Sequence, residues 1–124
     1  MSFYFQGIDH VQLAAPKGCE DQARHFFGSI LGLTEIPKPE NLRARGGCWF
    51  QCGNQEIHIG VEEDFKEAKK AHPGLIVTNI GDLKQTLKHH EITWKEELPI
   101  EGRSRIHVSD PFGNRMEFIE FINK

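Results

Sequence analysis

The 124-residue chain has few cysteines, no long apolar run and no excess of basic residues. Its three cysteines are odd in number and too few for a disulfide framework, so we expect reduced thiols in a cytoplasmic protein. No apolar stretch approaches the roughly 20 residues that cross a bilayer, and no secretory signal is recognisable. The formal net charge is -3, whereas a nucleic-acid surface normally needs a basic excess. We therefore expect neither a membrane nor a nucleic acid as a partner.

Two of the cysteines, Cys48 and Cys52, are close enough in sequence to suggest a metal knuckle. They lie in "GGCWFQCGN", however, which is typical of a strand followed by a turn. Four strand residues span roughly 13 Å, which exceeds the reach of a disulfide or a shared metal unless a bulge intervenes. The spacing therefore predicts independent thiols that serve only packing.

The first half of the chain shows one helix among several strands. Alternation in "GIDHVQLA", residues 7–14, predicts a strand, and "ARHFFGSILGL" then carries an apolar helical face that ends near Gly32. That face consists of Ala23, Phe26, Phe27, Ile30 and Leu31. Extended segments follow at "TEIPKP", "CWFQC" and "QEIHIGV", with the basic loop "ENLRARGG" before the second of them. The order is β-α-β-β-β.

The second half repeats this order after a charged connector, about residues 63–71, which we expect to be helical. A strand at "HPGLIVTN" leads to a helix capped by Asn79 and Asp82, and "ITWKEE", "RSRIHVS" and "RMEFIEF" are extended. A Gly-Asn turn precedes the last strand of each half. The chain of 124 residues is thus predicted to be one α+β domain. Its two βαβββ modules, about residues 1–62 and 72–124, would form an eight-stranded cupped sheet around a cleft.

Each predicted sheet has its helix on one face, which leaves the other face free to line the cleft. Alternation in the first strand sends Val11 to the helix side and His10 to the cleft. The same reasoning sends His58, His72 and Glu117 to the cleft from three further strands. A lone histidine in a strand means little, but four such groups, one from each of four strands, form a pattern. Because imidazole and carboxylate together suit divalent metals of borderline hardness, the sequence predicts a metal site.

These residues also carry a resemblance to a known family. The segments "IDHVQLAAP", "ARHFFGSILGL", "AHPGLIVTNIGDL" and "DPFGNRMEFIE" are similar to motifs of the vicinal oxygen chelate superfamily, which includes glyoxalases, bleomycin-resistance proteins and dioxygenases. The resemblance covers nearly the whole chain. It implies paired modules around a cleft, often in a homodimer, and a divalent metal (Zn, Ni, Mn, Co or Fe) that chelates neighbouring substrate oxygens. Carried over by position, the metal ligands are His10, His58, His72 and Glu117.

One ligand position has an alternative. Aligning the two Gly-Asn turns places Glu117 opposite Ile57, so the first turn would have to be longer or bulged for His58 to match. Glu56 has the same strand parity as His58 and is the substitute ligand. In glyoxalase I enzymes this position is commonly a glutamate that acts as ligand and base. A histidine here therefore argues against that isomerase reaction.

The leading hypothesis is a metal-dependent enzyme that acts on a small oxygenated substrate, with Glu117 and His58 as catalytic residues. The expected substrate contacts are Arg43, Arg45, Trp49, Gln51 and Arg105, since arginine forks suit carboxylate or phosphonate oxygens. Lyase, isomerase and thiol-transferase reactions stay open. A ring-cleaving dioxygenase is less favoured, because those enzymes are usually about twice as long and Tyr4 is poorly placed for acid-base help. We expect a homodimer, because two modules leave sheet edges uncovered.

The alternative hypothesis is a non-catalytic binding protein. Bleomycin-resistance proteins sequester a flat ligand between aromatic walls and need no catalytic metal. Trp49, Phe50, Trp94 and Phe112 are the aromatic residues that would line such a pocket here. The presence of all four candidate metal ligands favours the enzyme.

Overall fold

The computed structural model describes residues 2–122 and shows two modules with the same order of elements. In the first module, strands β1 to β4 cover His10–Ala15, Thr34–Ile36, Cys48–Cys52 and Gln55–Val61. Helix α1 follows β1; it begins as an α-helix at Glu20–Ala23 and continues as a π-helix over Arg24–Ile30. A 3-10 helix, Glu40–Arg45, precedes β3.

The second module contains strands β5 to β8 and helix α2. The strands cover Gly74–Ile76, Lys95–Glu96, Arg103–Ser109 and Arg115–Phe121, and the helix covers Ile80–His89. The strands of the two modules form two sheets, in the orders β1-β4-β3-β2 and β5-β8-β7-β6. The α+β class and the tandem βαβββ modules are therefore confirmed, with the eight strands divided between two sheets. Met1, Asn123 and Lys124, at the ends of the predicted modules, lie outside the described residues.

One hydrophobic core joins the helix-facing sides of both sheets. The apolar face predicted for α1 is buried at Ala23, Phe26, Phe27 and Ile30. In the second module Met116 and Phe118 of β8 are buried on the helix side, with 0% and 4% of their surface exposed. Because side chains alternate along a strand, the residue between them, Glu117, points to the other face. The core thus determines which side chains face the cleft.

Local signals at the ends of the helices are present as predicted. Asn79 caps α2, since its Oδ1 accepts a hydrogen bond from the Asp82 N–H at 3.1 Å. Gly32 follows α1 with a φ of 79°, a left-handed conformation that glycine adopts without steric cost. The 3-10 helix replaces the loop expected at "ENLRARGG".

The connector is not helical, contrary to the expectation from its charged sequence. Residues 62–73 contain no helix, and Asp64 has a φ of 54°. The backbone of Ala68 is instead bonded to the last turn of the chain: its N–H donates to Asn114 Oδ1 at 2.9 Å, and its carbonyl accepts from the Arg115 N–H at 2.8 Å. These tertiary bonds occupy the groups that a helix would have to pair internally.

The cysteines are free, as the strand spacing predicted. Cys19 and Cys48 are buried, and Cys52 is half-buried. Burial raises the pKa of the Cys48 thiol to about 12. A thiol with such a pKa stays protonated and unreactive near neutral pH. Within residues 2–122, no helix has the length and apolar character needed to span a membrane.

Candidate functional site

His72 and Glu117 meet on the cleft face of the second sheet. His72 lies just before β5, and Glu117 lies in the middle of β8, where it pairs with Gly74. The His72 Nε2 atom is 3.0 Å from Glu117 Oε1. The other ring nitrogen, Nδ1, donates to the carbonyl of Lys70 at 2.8 Å. Because Nδ1 is bonded to this carbonyl, Nε2 is the ring atom that faces the carboxylate and is in position to bind a cation beside it.

Glu117 is held from its other side by an arginine. Its side chain is nearly buried, with 5% of the residue exposed. Arg105 NH1 donates to Glu117 Oε2 at 2.8 Å, so the two carboxylate oxygens have different partners. Oε2 is fixed by the guanidinium, and Oε1 is the atom directed at His72. A buried carboxylate needs such a charged partner, because desolvation would otherwise penalise its ionised form.

A third residue, His107, completes a cluster of metal-ligating side chains. It lies in β7 directly opposite Glu117, so the two side chains share a face. Ligand atoms of His72, His107 and Glu117 lie within 4.8 Å of one another. His107 is not among the four ligands predicted from the sequence. The sequence nevertheless implies that these two residues pair, because His107 and Glu117 are equally distant from the centre of the turn that joins their strands.

Both nitrogens of His107 already have protein partners. Its Nδ1 atom contacts the Glu97 carboxylate, and its Nε2 accepts from Arg115 NH2 at 2.8 Å. Burial and the neighbouring Arg115 cation lower the pKa of His107. These contacts define a neutral ring with its proton on Nδ1. His107 would therefore have to give up Arg115 before its Nε2 could bind a metal.

His58 and His10 form a second pair on the cleft face of the first sheet. Their rings stack with centroids 4.1 Å apart. The opposite face of His58 is covered by Trp49, whose ring centroid is 3.7 Å away at an angle of 2°. These two rings explain why His58 is only 4% exposed although it faces the cleft. Its Nε2 lies 2.9 Å from Glu56 Oε1.

The strand register relates His58 to Glu117. Gln12 pairs with His58 in the first sheet, and Gly74 pairs with Glu117 in the second. Gln12 and Gly74 each lie two residues after the leading histidine of their module. His58 and Glu117 therefore occupy equivalent places. Aligning the two Gly-Asn turns placed Glu117 opposite Ile57 instead, because the turns differ in length. A two-residue turn joins β3 to β4, whereas a five-residue turn, residues 110–114, joins β7 to β8.

The four predicted ligands divide into two pairs on two sheets. The metal-ligating cluster found within residues 2–122 contains His72 and Glu117 but neither His10 nor His58. The cleft faces also carry apolar side chains that a single chain leaves open. Ile8 before β1 is 67% exposed, and Ile76 of β5 is 71% exposed. One chain thus presents two separate pairs of candidate ligands, and each module also carries an exposed apolar residue.

The five predicted substrate contacts lie in different surroundings. Arg105 binds Glu117, and Arg45 lines a small hollow beside Trp49. Arg43 instead donates to the backbone carbonyl of residue 38 at 3.2 Å. Gln51 donates to the carbonyls of residues 53 and 55 at 2.8 and 3.1 Å and so braces the β3–β4 turn. Arg45, Trp49 and Arg105 therefore lie near the candidate ligands, whereas Arg43 and Gln51 have structural bonds.

The aromatic residues proposed for a sequestering pocket are likewise dispersed. Phe50 is fully buried in the core, where its ring centroid is 5.7 Å from that of Phe27. Trp49, the preceding residue of β3, faces the cleft. Trp94 lies in the second module and donates to Glu96 Oε2 at 3.0 Å. Within residues 2–122, Trp49, Phe50 and Trp94 therefore have separate surroundings.

Comparison with known proteins identifies the family. No family model and no curated protein matches the sequence. A crystal structure of a glyoxalase family protein from Bacillus anthracis, however, is 56% identical, with 98% of this chain and 99% of that chain covered and a TM-score of 0.94. The chain belongs to the glyoxalase family. This family lies in the vicinal oxygen chelate superfamily, so the resemblance found in the sequence is confirmed.

More distant structures share the fold of this glyoxalase-family chain. Lactoylglutathione lyase from Agrobacterium tumefaciens is 20% identical, with 93% of each chain covered and a TM-score of 0.72. The fosfomycin resistance protein FosX from Listeria monocytogenes is 16% identical, with 94% of each chain covered and a TM-score of 0.75. At these identities the comparison establishes the shared fold alone.

The donor set of this glyoxalase-family chain fits a divalent metal. His72 Nε2 and Glu117 Oε1 lie 3.0 Å apart and have their remaining atoms anchored by Lys70 and Arg105. Metal-binding histidines commonly donate the second ring N–H to a backbone carbonyl, as His72 does to Lys70. A cation bound by both atoms would have one imidazole nitrogen and one carboxylate oxygen as ligands, a combination that divalent metals such as zinc accept.

Proposed function

We propose that the protein is a metal-dependent enzyme that binds two neighbouring oxygens of a small substrate at a divalent ion held by His10, His58, His72 and Glu117. The observation that carries this proposal is the contact between His72 Nε2 and Glu117 Oε1, in which the ring proton is already committed to a backbone carbonyl. When bound, the ion supplies a Lewis acid that stabilises negative charge on a chelated oxygen.

The fixed position of Glu117 narrows the reaction class. Its Oε2 is bonded to Arg105 at 2.8 Å, which restrains the position of the carboxylate. Glu117 therefore acts as a stationary ligand. His58, held between the rings of Trp49 and His10, is equally restrained. Two immobile ligands favour a lyase or thiol-transferase reaction, in which the protein does not have to abstract a proton from carbon through this glutamate.

The complete site requires a homodimer in this proposal. His10 and His58 lie on one sheet and His72 and Glu117 on the other, and each module carries an exposed apolar side chain. A second copy can cover these faces and bring the first-sheet pair of one chain to the second-sheet pair of its partner. Burial of Ile8 and Ile76, now 67% and 71% exposed, would contribute to the association.

Metal content of tag-free variants tests the ligand set. His10→Ala, His58→Ala, His72→Ala and Glu117→Ala should each lower metal occupancy, and thermal stability should fall in parallel because a metal bound only by the folded state stabilises it. Glu56→Ala tests the alternative ligand; it should retain metal, although it removes the bond between Glu56 Oε1 and His58 Nε2. If His107→Ala empties the site while His58→Ala does not, the site belongs to one chain. Absence of metal from the unmodified protein, together with tight binding of a planar ligand, would instead support sequestration.

Mixing two variants tests the shared site. His58→Ala and Glu117→Ala each impair both sites of a homodimer. In a mixed dimer, one site receives both substitutions and the other receives neither. Refolding the two variants together should therefore restore metal binding to about one site per mixed dimer, whereas a site built within one chain would stay empty. Sedimentation equilibrium at micromolar concentration should show a dimer; a monomer would contradict the proposal.

A further inference from the structure

A small hollow on the cleft face of the first sheet adjoins His58. Its volume is about 200 Å³. Its lining comes from β1, the segment before β3, β3 and β4, and includes Gln12, Lys38, Leu42, Arg45, Trp49 and Gly60. Two of these positions are direct cross-strand neighbours of His58, because Gln12 pairs with it from β1 and Trp49 pairs with it from β3. The hollow therefore lies on the same face of the sheet as His58 and is bordered by two of its cross-strand neighbours.

Gly60 explains why the hollow is open. It follows His58 by two residues in β4 and so has the same orientation toward the cleft. A Cβ atom at this position would lie 2.7 Å from Nε2 of Gln12. The Gln12 amide therefore lies across the bare backbone of Gly60. A residue with a side chain at position 60 would displace this amide.

The charge of the hollow is positive. Lys38 and Arg45 line it, and none of its lining residues is acidic. The Lys38 ammonium donates to the carbonyl of Gly46, a neutral acceptor. In residues 2–122 neither Lys38 nor Arg45 forms an ion pair with a carboxylate. A nearby carboxylate, Glu20, accepts from the Gly47 N–H at 2.7 Å and lines a neighbouring hollow with Arg24 and Lys38, and it does not line the hollow beside Trp49.

Two cations and an amide in one small concave space match one kind of ligand. Their N–H groups donate hydrogen bonds, and an oxyanion accepts several at once. The volume suits one such group and is too small for a whole substrate, since complete ligand pockets usually measure roughly 300 Å³ or more. The hollow is therefore a subsite that continues from the metal-ligand region.

We propose that this hollow binds an oxyanion group of the substrate, a carboxylate or a phosphonate, through Lys38 and Arg45. This inference rests on the proposed function, because it treats the region around His58 as the place where the substrate is held. The substrate class is then a small acid whose anionic group lies beside the two oxygens that the metal binds. Arg45 and Lys38 select the acid, and the metal ligands hold its reacting end.

Binding of simple probes to metal-free protein tests the subsite directly. Methylphosphonate and acetate represent the two oxyanions, and methanesulfonamide is a neutral compound of similar shape. In NMR titrations, the indole N–H of Trp49 and the amide of Gly60 should shift and saturate with either anion and stay in place with methanesulfonamide. The tighter of the two anions identifies the group that the hollow prefers.

Matched variants distinguish direct contact between the anion and a side chain from long-range attraction by the positive charges of the segment. Arg45→Gln and Lys38→Met should each weaken methylphosphonate binding by roughly tenfold, because each removes a charge-assisted hydrogen bond. Arg43→Gln removes the same charge from the same 3-10 helix but lies outside the hollow, so it should change affinity less than about twofold. Amide spectra of all variants check that each is folded.

Two results would overturn the inference: titrations that do not saturate, or equal weakening by Arg43→Gln and Arg45→Gln. The outcome is independent of the metal, since the titrations use metal-free protein. Metal binding without anion binding would remove the subsite and leave the proposed function intact. Anion binding in a protein that takes up no metal would support the subsite and contradict the proposed metal-dependent function.

Discussion

Asn114 is the residue whose replacement should most clearly expose how the two modules are joined. It lies in the turn before β8 and is 2% exposed. Its Nδ2 donates to the carbonyl of Ala14 at 2.8 Å and to Asp110 Oδ2 at 2.9 Å, and its Oδ1 accepts from the Ala68 N–H at 2.9 Å. One side chain thus connects β1 of the first module, the connector and the last turn.

The cost of Asn114→Ala follows from the three groups it leaves behind. A buried polar group without a partner costs about 1–3 kcal/mol. Three such groups would cost roughly 3–9 kcal/mol, but Ala68 is half-buried and its N–H can recover a bond to water, which reduces the sum. We expect a loss of about 3–5 kcal/mol, a large part of the 5–15 kcal/mol typical of a whole protein.

Urea unfolding followed by circular dichroism, at one fixed protein concentration, measures this loss. Asn54→Ala is the matched control, because Asn54 occupies the corresponding Gly-Asn turn of the first module but is exposed. It should change the free energy of unfolding by less than about 0.5 kcal/mol. A loss below about 1 kcal/mol for Asn114→Ala, or equal losses at the two asparagines, would refute the argument that the buried bonds of Asn114 hold the modules together.

Two further predictions concern single side chains. Arg105→Gln leaves Glu117 without its cation. Because 18% of the Arg105 side chain is accessible, we expect the free energy of unfolding in urea to fall by about 2–3 kcal/mol, and metal binding measured by calorimetry to weaken. Unchanged values for both would contradict the role of Arg105. Cys48, with a pKa raised to about 12 by burial, should not react with dithionitrobenzoate at pH 8 until the protein unfolds. Rapid labelling of Cys48 in folded protein would contradict its burial, and loss of metal from the Cys48→Ser, Cys52→Ser double variant would show that the thiols are ligands.

The strands that can be read from alternation are the long central ones. The segments "CWFQC", "QEIHIGV", "RSRIHVS" and "RMEFIEF" coincide with β3, β4, β7 and β8. Their apolar side chains alternate because one face of each strand is buried in the core. The edge strand β5 is shorter than predicted, Gly74–Ile76, and the connector is not helical. The conformation of both segments depends on tertiary contacts, and such contacts leave no periodic pattern in the local sequence.

The candidate site was likewise predictable from the sequence only in part. Parity placed His72 and Glu117 on the cleft side, and the structure brings them within 3.0 Å. His107 was missed although the predicted bounds of β7 and β8 already place it opposite Glu117. Arg105 was expected to contact substrate, whereas its NH1 atom binds Glu117.

The sequence by itself determined the two modules, their helices and the faces of their central strands, because burial against a core imposes a period of two on strands and 3.6 on helices. The strand register decided which residues are equivalent: it paired Gln12 with His58 and Gly74 with Glu117, although the turns suggested otherwise. Register depends on turn length and on pairing between distant segments, and neither is written in the periodicity of one strand. For the same reason, only the tertiary structure showed that the four predicted ligands lie as two pairs on two sheets.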